Sequence, residues 1–197
     1  MNDDAIYRQA VERFSDLFAQ ARTLPLAEPT AMSLATVGAD GQPSVRTVLL
    51  KAFDARGFVF YTNKRSRKAG QIESNHRAAL CFFWQPLMQQ VLVEGRTADL
   101  EDAEADSYWV TRPRISQIGA WASSQSDILT ERAELDRRYT EFEKKFAGNP
   151  VPRPPHWSGY RLTPQLIEFW TSRPGRLHER ERYFLQDGAW QYSLIYP

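Results

Sequence analysis

Arg176, His178 and Arg180 stand at every second position of the stretch IEFWTSRPGRLHER, residues 167–180. Alternate residues of an extended strand point to one face, so this spacing predicts a shared cationic face with Leu177 and Glu179 behind it. Groups of like sign placed in this way repel one another unless an anion lies against them. Pro174 and Gly175 make a turn just upstream, so the alternation need not be strict there. Arg176 and His178 are the candidates for moving a proton or stabilising charge, and arginine is a poor base at its ordinary pKa.

Other cations sit among strand-like and aromatic residues. VRTVLLK carries Arg46 and Lys51 in an apolar run. Taken alone, the two read as strand-edge cations with their stems along the surface. A spacing of five puts them on opposite faces of a regular strand, so one shared site requires a bulge, or ligands on both sides. YTNKRSRKAGQIESN places Tyr61, Thr62, Arg67 and Lys68 at a strand end and a helix start. Free N–H groups and the dipole attract phosphate there, and arginine adds a planar fork; a solvated basic turn accounts for the segment equally well. SYWVTRPRISQ sets Tyr108 and Arg112 four apart on one helix face, with Ser116 just past the helix end. SSQSD supplies small polar groups ahead of a helix, where capping alone explains them. Together, basic and hydroxyl groups at strand ends flanked by Trp and Tyr fit two phosphate-bearing aromatic ligands better than one.

Several chemistries are excluded. The chain has no Walker loop, no GxGxxG and no GxSxG elbow. His76, His156 and His178 are dispersed and Cys81 is the single cysteine, which argues against a metal site and forbids an intrachain disulfide. Hard chemistry would then belong to a bound cofactor. A formal net charge of +1 argues against a broad nucleic-acid footprint. No signal peptide and no apolar run of membrane-spanning length is visible, and cysteine usage fits a cytoplasmic, reducing compartment. Cys81 lies in AALCFFW and reads as a small buried hydrophobe.

The elements that must position these residues follow from periodicity. A chain of 197 residues fits one domain. Asp3 or Asp4 can cap a helix over about 5–22, where Ile6, Ala10, Phe14, Leu17, Phe18 and Ala21 recur at helical spacing. Strands are expected in AMSLATV, SVRTVLLKAF, FVFYTN, RAALCFFWQ, QQVLVEGRTADL, GYRLT, QLIEFWTS, ERYFLQ and AWQYSLIYP. Short helices are expected from a cap at Ser66 through Ser74 and in EDAEADSYWVTR, and a longer one in SDILTERAELDRRYTEFEKKF. Short turns between strands argue for an antiparallel sheet of about seven or eight strands, closed into a barrel that removes its edges, with helices packed outside.

These stretches also resemble a known family. IEFW, a short link and RLHER look like the signature of the pyridoxine (pyridoxamine) 5′-phosphate oxidases, and RTVLLK, FYTNKRSRKAGQIE, RPRISQIGAW and SSQS follow the family's order. The resemblance runs from about Pro29 to Trp190 and implies an antiparallel split β-barrel, a mainly β fold with packed helices, in one FMN-binding domain over 1–197. It further implies a cytoplasmic homodimer with FMN at the subunit interface. Pyridoxine or pyridoxamine 5′-phosphate would be oxidised to pyridoxal 5′-phosphate, with dioxygen as electron acceptor and hydrogen peroxide as product. By motif, FMN would meet Arg46, Thr47, Val48, Leu49, Leu50, Lys51, Tyr61, Thr62, Arg67, Lys68, Gln90, Gln125, Ser126, Trp170 and Arg180. The substrate would meet Lys51, Tyr108, Arg112, Ser116, Arg176 and His178, the last two over its pyridine ring and catalytic, the first four at its phosphate. Two departures are visible: Tyr7-Arg8 does not match the family's N-terminal Arg-x-x-Tyr, and Leu194 stands where the family's Arg-Leu-x-Pro ending has arginine. Two other readings are a different split-barrel flavin reductase and a non-enzymatic FMN or pyridoxal phosphate binding protein.

Overall fold

The computed structural model describes residues 5–197. The expected cap at Asp3 or Asp4 lies outside the described residues. Helix α1 (Ala5–Thr23) turns Tyr7, Ala10, Phe14, Leu17 and Ala21 inward. Phe14 is the centre of that contact, edge-on to Phe53, Phe58 and Phe82 at 4.8–5.1 Å.

Nine antiparallel strands form one sheet. They are β1 (Ala31–Val37), β2 (Pro43–Leu49), β3 (Ala52–Asp54), β4 (Gly57–Asn63), β5 (Arg77–Trp84), β6 (Gln89–Asp99), β7 (Trp157–Thr171), β8 (Glu179–Gln186) and β9 (Ala189–Ile195). The main path runs β2-β1-β5-β6-β7-β4-β3, with β8 on β7 and β9 on β8. Its two ends, β2 and β3, are consecutive in the chain. The sheet therefore curls until its edges meet at Leu50 and Lys51, the split barrel expected from the short turns. Leu50 N–H donates to Thr30 C=O on the β1 side, while Lys51 N–H donates to Val59 C=O of β4. The continuous strand expected through SVRTVLLKAF is thus two strands joined by a seam.

GYRLT and QLIEFWTS, expected as separate strands, are one long β7. Its first part pairs with β4 and its last part with β8, and β6 runs along its other side. Pro164 stands at the changeover, opposite Gly95, where the β6 register shifts. Proline lacks an N–H, so it is tolerated at such a bulge and not within a regular ladder.

Four more helices cover the barrel: α2 (Arg67–Asn75), α3 (Asp102–Trp109), α4 (Arg114–Ala122) and α5 (Arg132–Lys145). Ser66 stands at the N-cap of α2, but its side chain makes no capping bond. The stretch expected to be helical from Ser126 becomes so only at Arg132. Helix α4 was not expected at all, and Ser116 lies within it. Arg176 and His178 are not in a strand: Pro174–Arg176 form a 3-10 turn, and Arg176 has φ 62°. Cys81 is half-buried in β5, and burial pushes its thiol pKa up.

Candidate functional site

A cavity of about 530 Å³ opens over the seam. Strand β2 supplies Arg46, Thr47, Val48 and Leu49, the seam supplies Lys51, and the end of β4 supplies Tyr61, Thr62 and Asn63. Lys68 reaches in from α2, Arg112 from the α3–α4 link, and Ser116, Gly119 and Ala120 from α4. Ser123, Gln125 and Trp157 complete the wall. The break at Leu50–Lys51 is the bulge that Arg46 and Lys51 needed in order to share a site.

The charged lining is wholly cationic: Arg46, Lys51, Lys68 and Arg112, with no carboxylate among the lining residues. Lys68 Nζ donates to Gln125 Oε1 (2.9 Å), Thr62 Oγ1 (3.1 Å) and Ser66 Oγ (3.3 Å), all neutral oxygens. Burial, and then the charge of Arg46, lower its pKa. Burial followed by the charge of Arg67 likewise lowers that of Arg46. Arg112 lies 4.7 Å over the Trp157 ring and 5.6 Å from Trp109. One of its nitrogens donates to Ser116 C=O at 3.3 Å, while its buried Nε has no hydrogen-bond partner among the described residues. Burial lowers its pKa too. Arg46, Lys68 and Arg112 are thus held charged against a desolvation cost, with no carboxylate paired to them among the described residues.

An aromatic stack braces this wall. Tyr61 packs against both Tyr108 (4.2 Å, 10° between planes) and Trp157 (5.0 Å, 2°), which are 6.2 Å from each other. Burial, Glu104 and Tyr108 push the Tyr61 pKa up to about 12, so its hydroxyl stays protonated.

Not every expected residue reaches the cavity. Leu50 is buried in the core beside Phe14, Arg67 is exposed at the start of α2, Tyr108 backs Tyr61, and Ser126, at φ 78°, lies one residue beyond the lining Gln125. Asn63, Gly119, Ala120, Ser123 and Trp157 line the cavity without having been expected. The apolar spacing of Ile118 and Ala122 in RISQIGAWA was the signal for α4 and two of these positions, Gly119 and Ala120.

Gln90, Trp170, Arg176, His178 and Arg180 form a second group away from the cavity. Gln90 pairs with Trp170 across β6–β7, and Trp170 with Arg180 across β7–β8. The Trp170 and His178 rings are 4.6 Å apart. His178 Nδ1 accepts from the Arg173 backbone N–H at 3.2 Å, which leaves Nε2 as the outward nitrogen. Arg180 forks onto the buried carboxylate of Glu168 at 2.8 and 3.1 Å. Arg176 is exposed on its turn. Along β7 the second group's Trp170 lies thirteen positions from the cavity's Trp157, about 40 Å of strand.

Residues 17–146 match the family model described as pyridoxamine 5′-phosphate oxidase, and residues 157–197 match the pyridoxine 5′-phosphate oxidase C-terminal dimerisation region. The chain is 55% identical over 187 residues to a pyridoxine/pyridoxamine 5′-phosphate oxidase of Myxococcus xanthus strain DK1622, covering 95% of this chain and 91% of that protein. It is 50% identical to the enzyme of that name from Alkalilimnicola ehrlichii, covering 98% and 99%. Among solved structures it is similar to PhzG of Burkholderia lata 383, described in complex with tetrahydrophenazine-1-carboxylic acid, at TM-score 0.90 and 33% identity over 95% and 92% of the two chains. It shares its fold with an FMN-binding, pyridoxamine 5′-phosphate oxidase-related protein of Nostoc punctiforme PCC 73102, at TM-score 0.75 and 19% identity over 94% and 96%. The matches to both parts of the chain, and the identity of these relatives along nearly all of it, show that the chain belongs to the pyridoxine/pyridoxamine 5′-phosphate oxidase family.

Proposed function

We propose that this protein binds FMN and oxidises pyridoxine or pyridoxamine 5′-phosphate to pyridoxal 5′-phosphate, with dioxygen taking the electrons and leaving as hydrogen peroxide. The observation that carries the reading is the cavity whose charged lining is wholly cationic. Its donors fit two phosphorylated aromatic ligands. Arg46, Thr62 and Lys68, with Arg67 at the head of α2, offer one cluster of phosphate donors. Lys51, Arg112 and Ser116 offer another across the cavity, and the buried Nε of Arg112 has no hydrogen-bond partner among the described residues. When bound, FMN would supply the two-electron acceptor for hydride from the substrate's 4′ carbon, an acceptor that dioxygen can reoxidise.

The chain's own residues bind and orient. Phosphate contacts far from the reacting carbon hold the pyridine ring in register, so that binding energy serves positioning. Tyr108, stacked on Tyr61, stiffens the wall beside Arg112. Gln90, Trp170, Arg176, His178 and Arg180 complete the site from the second copy in a homodimer. This assignment is supported by their distance from Trp157 along β7 and by the dimerisation region, which contains four of them. Arg176 and His178 then lie against the substrate ring, with His178 Nε2 free to hold or move a proton. Gln125, Ser126 and Arg180 serve the flavin.

The test is anaerobic addition of substrate to the purified protein. Either phosphorylated substrate should bleach the flavin bands without any nicotinamide donor, and air should restore them with release of peroxide. Bleaching by a nicotinamide donor alone would make the protein a reductase. Flavin bands that neither compound alters would make it a binding protein.

A further inference from the structure

Arg46 differs from many arginines of this chain in what holds it. Arg13, Arg56, Arg153, Arg161, Arg173 and Arg180 each contact a carboxylate. The Arg46 guanidinium donates only to neutral oxygens: Leu34 C=O at 3.1 Å, Thr36 Oγ1, and Gln71 Oε1 at 3.2 Å. Thr36 on β1 and Gln71 on α2 are bonded to each other (2.7 Å) and are 1% and 8% exposed. Gln71 Nε2 donates to Ser44 Oγ at 3.2 Å, which turns the oxygen end of the amide toward Arg46. Neither Thr36 nor Gln71 lines the cavity.

A carboxylate in place of Gln71 would hold the arginine as firmly but neutralise it. Neutral acceptors fix the direction of the fork and leave its full charge for a ligand. A buried polar pair that served packing alone would be matched by apolar residues of the same shape. We propose that Gln71 and Thr36 are positioning residues that hold Arg46 toward the cavity without compensating its charge, and so set the affinity for the phosphorylated flavin without touching it. The proposal rests on the reading of the cavity as the flavin site.

The test titrates apoprotein with FMN, read by flavin fluorescence. Gln71→Met should weaken binding about tenfold, the loss of one charge-assisted contact, and Arg46→Met at least as much. In the Arg46→Met background, adding Gln71→Met should cost no further affinity, because its only route to the ligand is gone. Thr36→Val should weaken FMN binding while Thr36→Ser, which keeps the hydroxyl, holds the parent value, and this pair decides the matter if Gln71→Met fails to fold. Gln71→Glu, nearly isosteric, should weaken binding further than Gln71→Met by neutralising Arg46. Losses that multiply in the double variant, or parent affinity in both Gln71→Met and Thr36→Val, would overturn the proposal while leaving the site in place. Parent affinity in Arg46→Met would instead overturn the flavin-site reading, and the proposal with it.

Discussion

Arg112 shows what this site costs when no anion is present. It lies over Trp157 without a carboxylate partner, its Nε unbonded, and burial lowers its pKa. Arg112→Met should therefore leave the thermal midpoint of the apoprotein unchanged or raise it, while raising KM for the phosphorylated substrate by about tenfold or more, a loss of roughly 1.5–3 kcal/mol. Denaturation scans and initial rates read the two effects separately. His178→Ala and Arg176→Ala should keep the flavin and slow its reduction, with Arg176→Ala also weakening substrate binding. Anaerobic stopped-flow separates the two, since the observed rate saturates with substrate; loss of FMN instead would place these side chains at the cofactor. Lys68 gives a pH signature. Its pKa is lowered by burial and by Arg46, so between that depressed value and the ordinary one the unfolded chain holds the extra proton. Stability then rises with pH across that window, while anion binding weakens as the amine loses its charge. Above pH ~10 the sign reverses, because Tyr7, Tyr61 and Tyr160 are held to about 12 and keep protons that the unfolded chain releases. Cys81, whose thiol pKa burial raises, opposes the rise, so urea unfolding from neutral to alkaline pH should show a more positive slope in the parent protein than in Lys68→Met.

At the scale of elements, legibility followed local chemistry. The hairpins that turn at Asp40-Gly41 and Asp187-Gly188 are encoded by local turn residues, and helical spacing marked α1, since both signals lie within a few residues. Long-range causes were not readable. SVRTVLLKAF is locally a continuous strand, and only the meeting of two sheet edges breaks it at Leu50. Pro164 locally ends a strand, but β7 runs through it because two different partners, β4 and β8, take over on either side. Arg176 and His178 fitted an alternating pattern, yet the Pro174-Gly175 turn extends to Arg176 and leaves only Arg180 in β8. Arg46, Lys51, Lys68 and Arg112, which line the cavity, were singled out by type and motif, but the separation of the expected residues into two groups was not readable. Gly95 shows how tightly the β6–β7 changeover is built, for a Cβ there would stand 2.1 Å from Thr163 C=O. Gly95→Ala should destabilise by about 3 kcal/mol, read by denaturant unfolding, because backbone must move to admit one methyl group.

For the whole molecule, the proposal to test is that residues far along β7 from the cavity finish the site of a second copy. Two impaired variants, Lys68→Met in the cavity and His178→Ala in the second group, should complement when mixed under subunit exchange. At equal amounts, half the dimers are hybrids with one intact site of two, so about a quarter of parental activity should return. Activity no higher than the sum of the two variants would place both groups in the same copy. None of the described helices is long and apolar enough to cross a membrane. The seam beneath the cavity has a further consequence. Leu50 and Lys51 are neighbours in the chain, yet their amide protons belong to opposite edges of the barrel. Each bond lies within its own edge, so Leu50 loses its proton when the β1–β2 edge opens and Lys51 when the β3–β4 edge opens, while a ligand bridging β2 and β4 ties the two edges together. The two adjacent amides should therefore exchange with deuterium at separate rates in the apoprotein and both slow as the cavity fills, a built-in gauge of occupancy that needs no turnover to read.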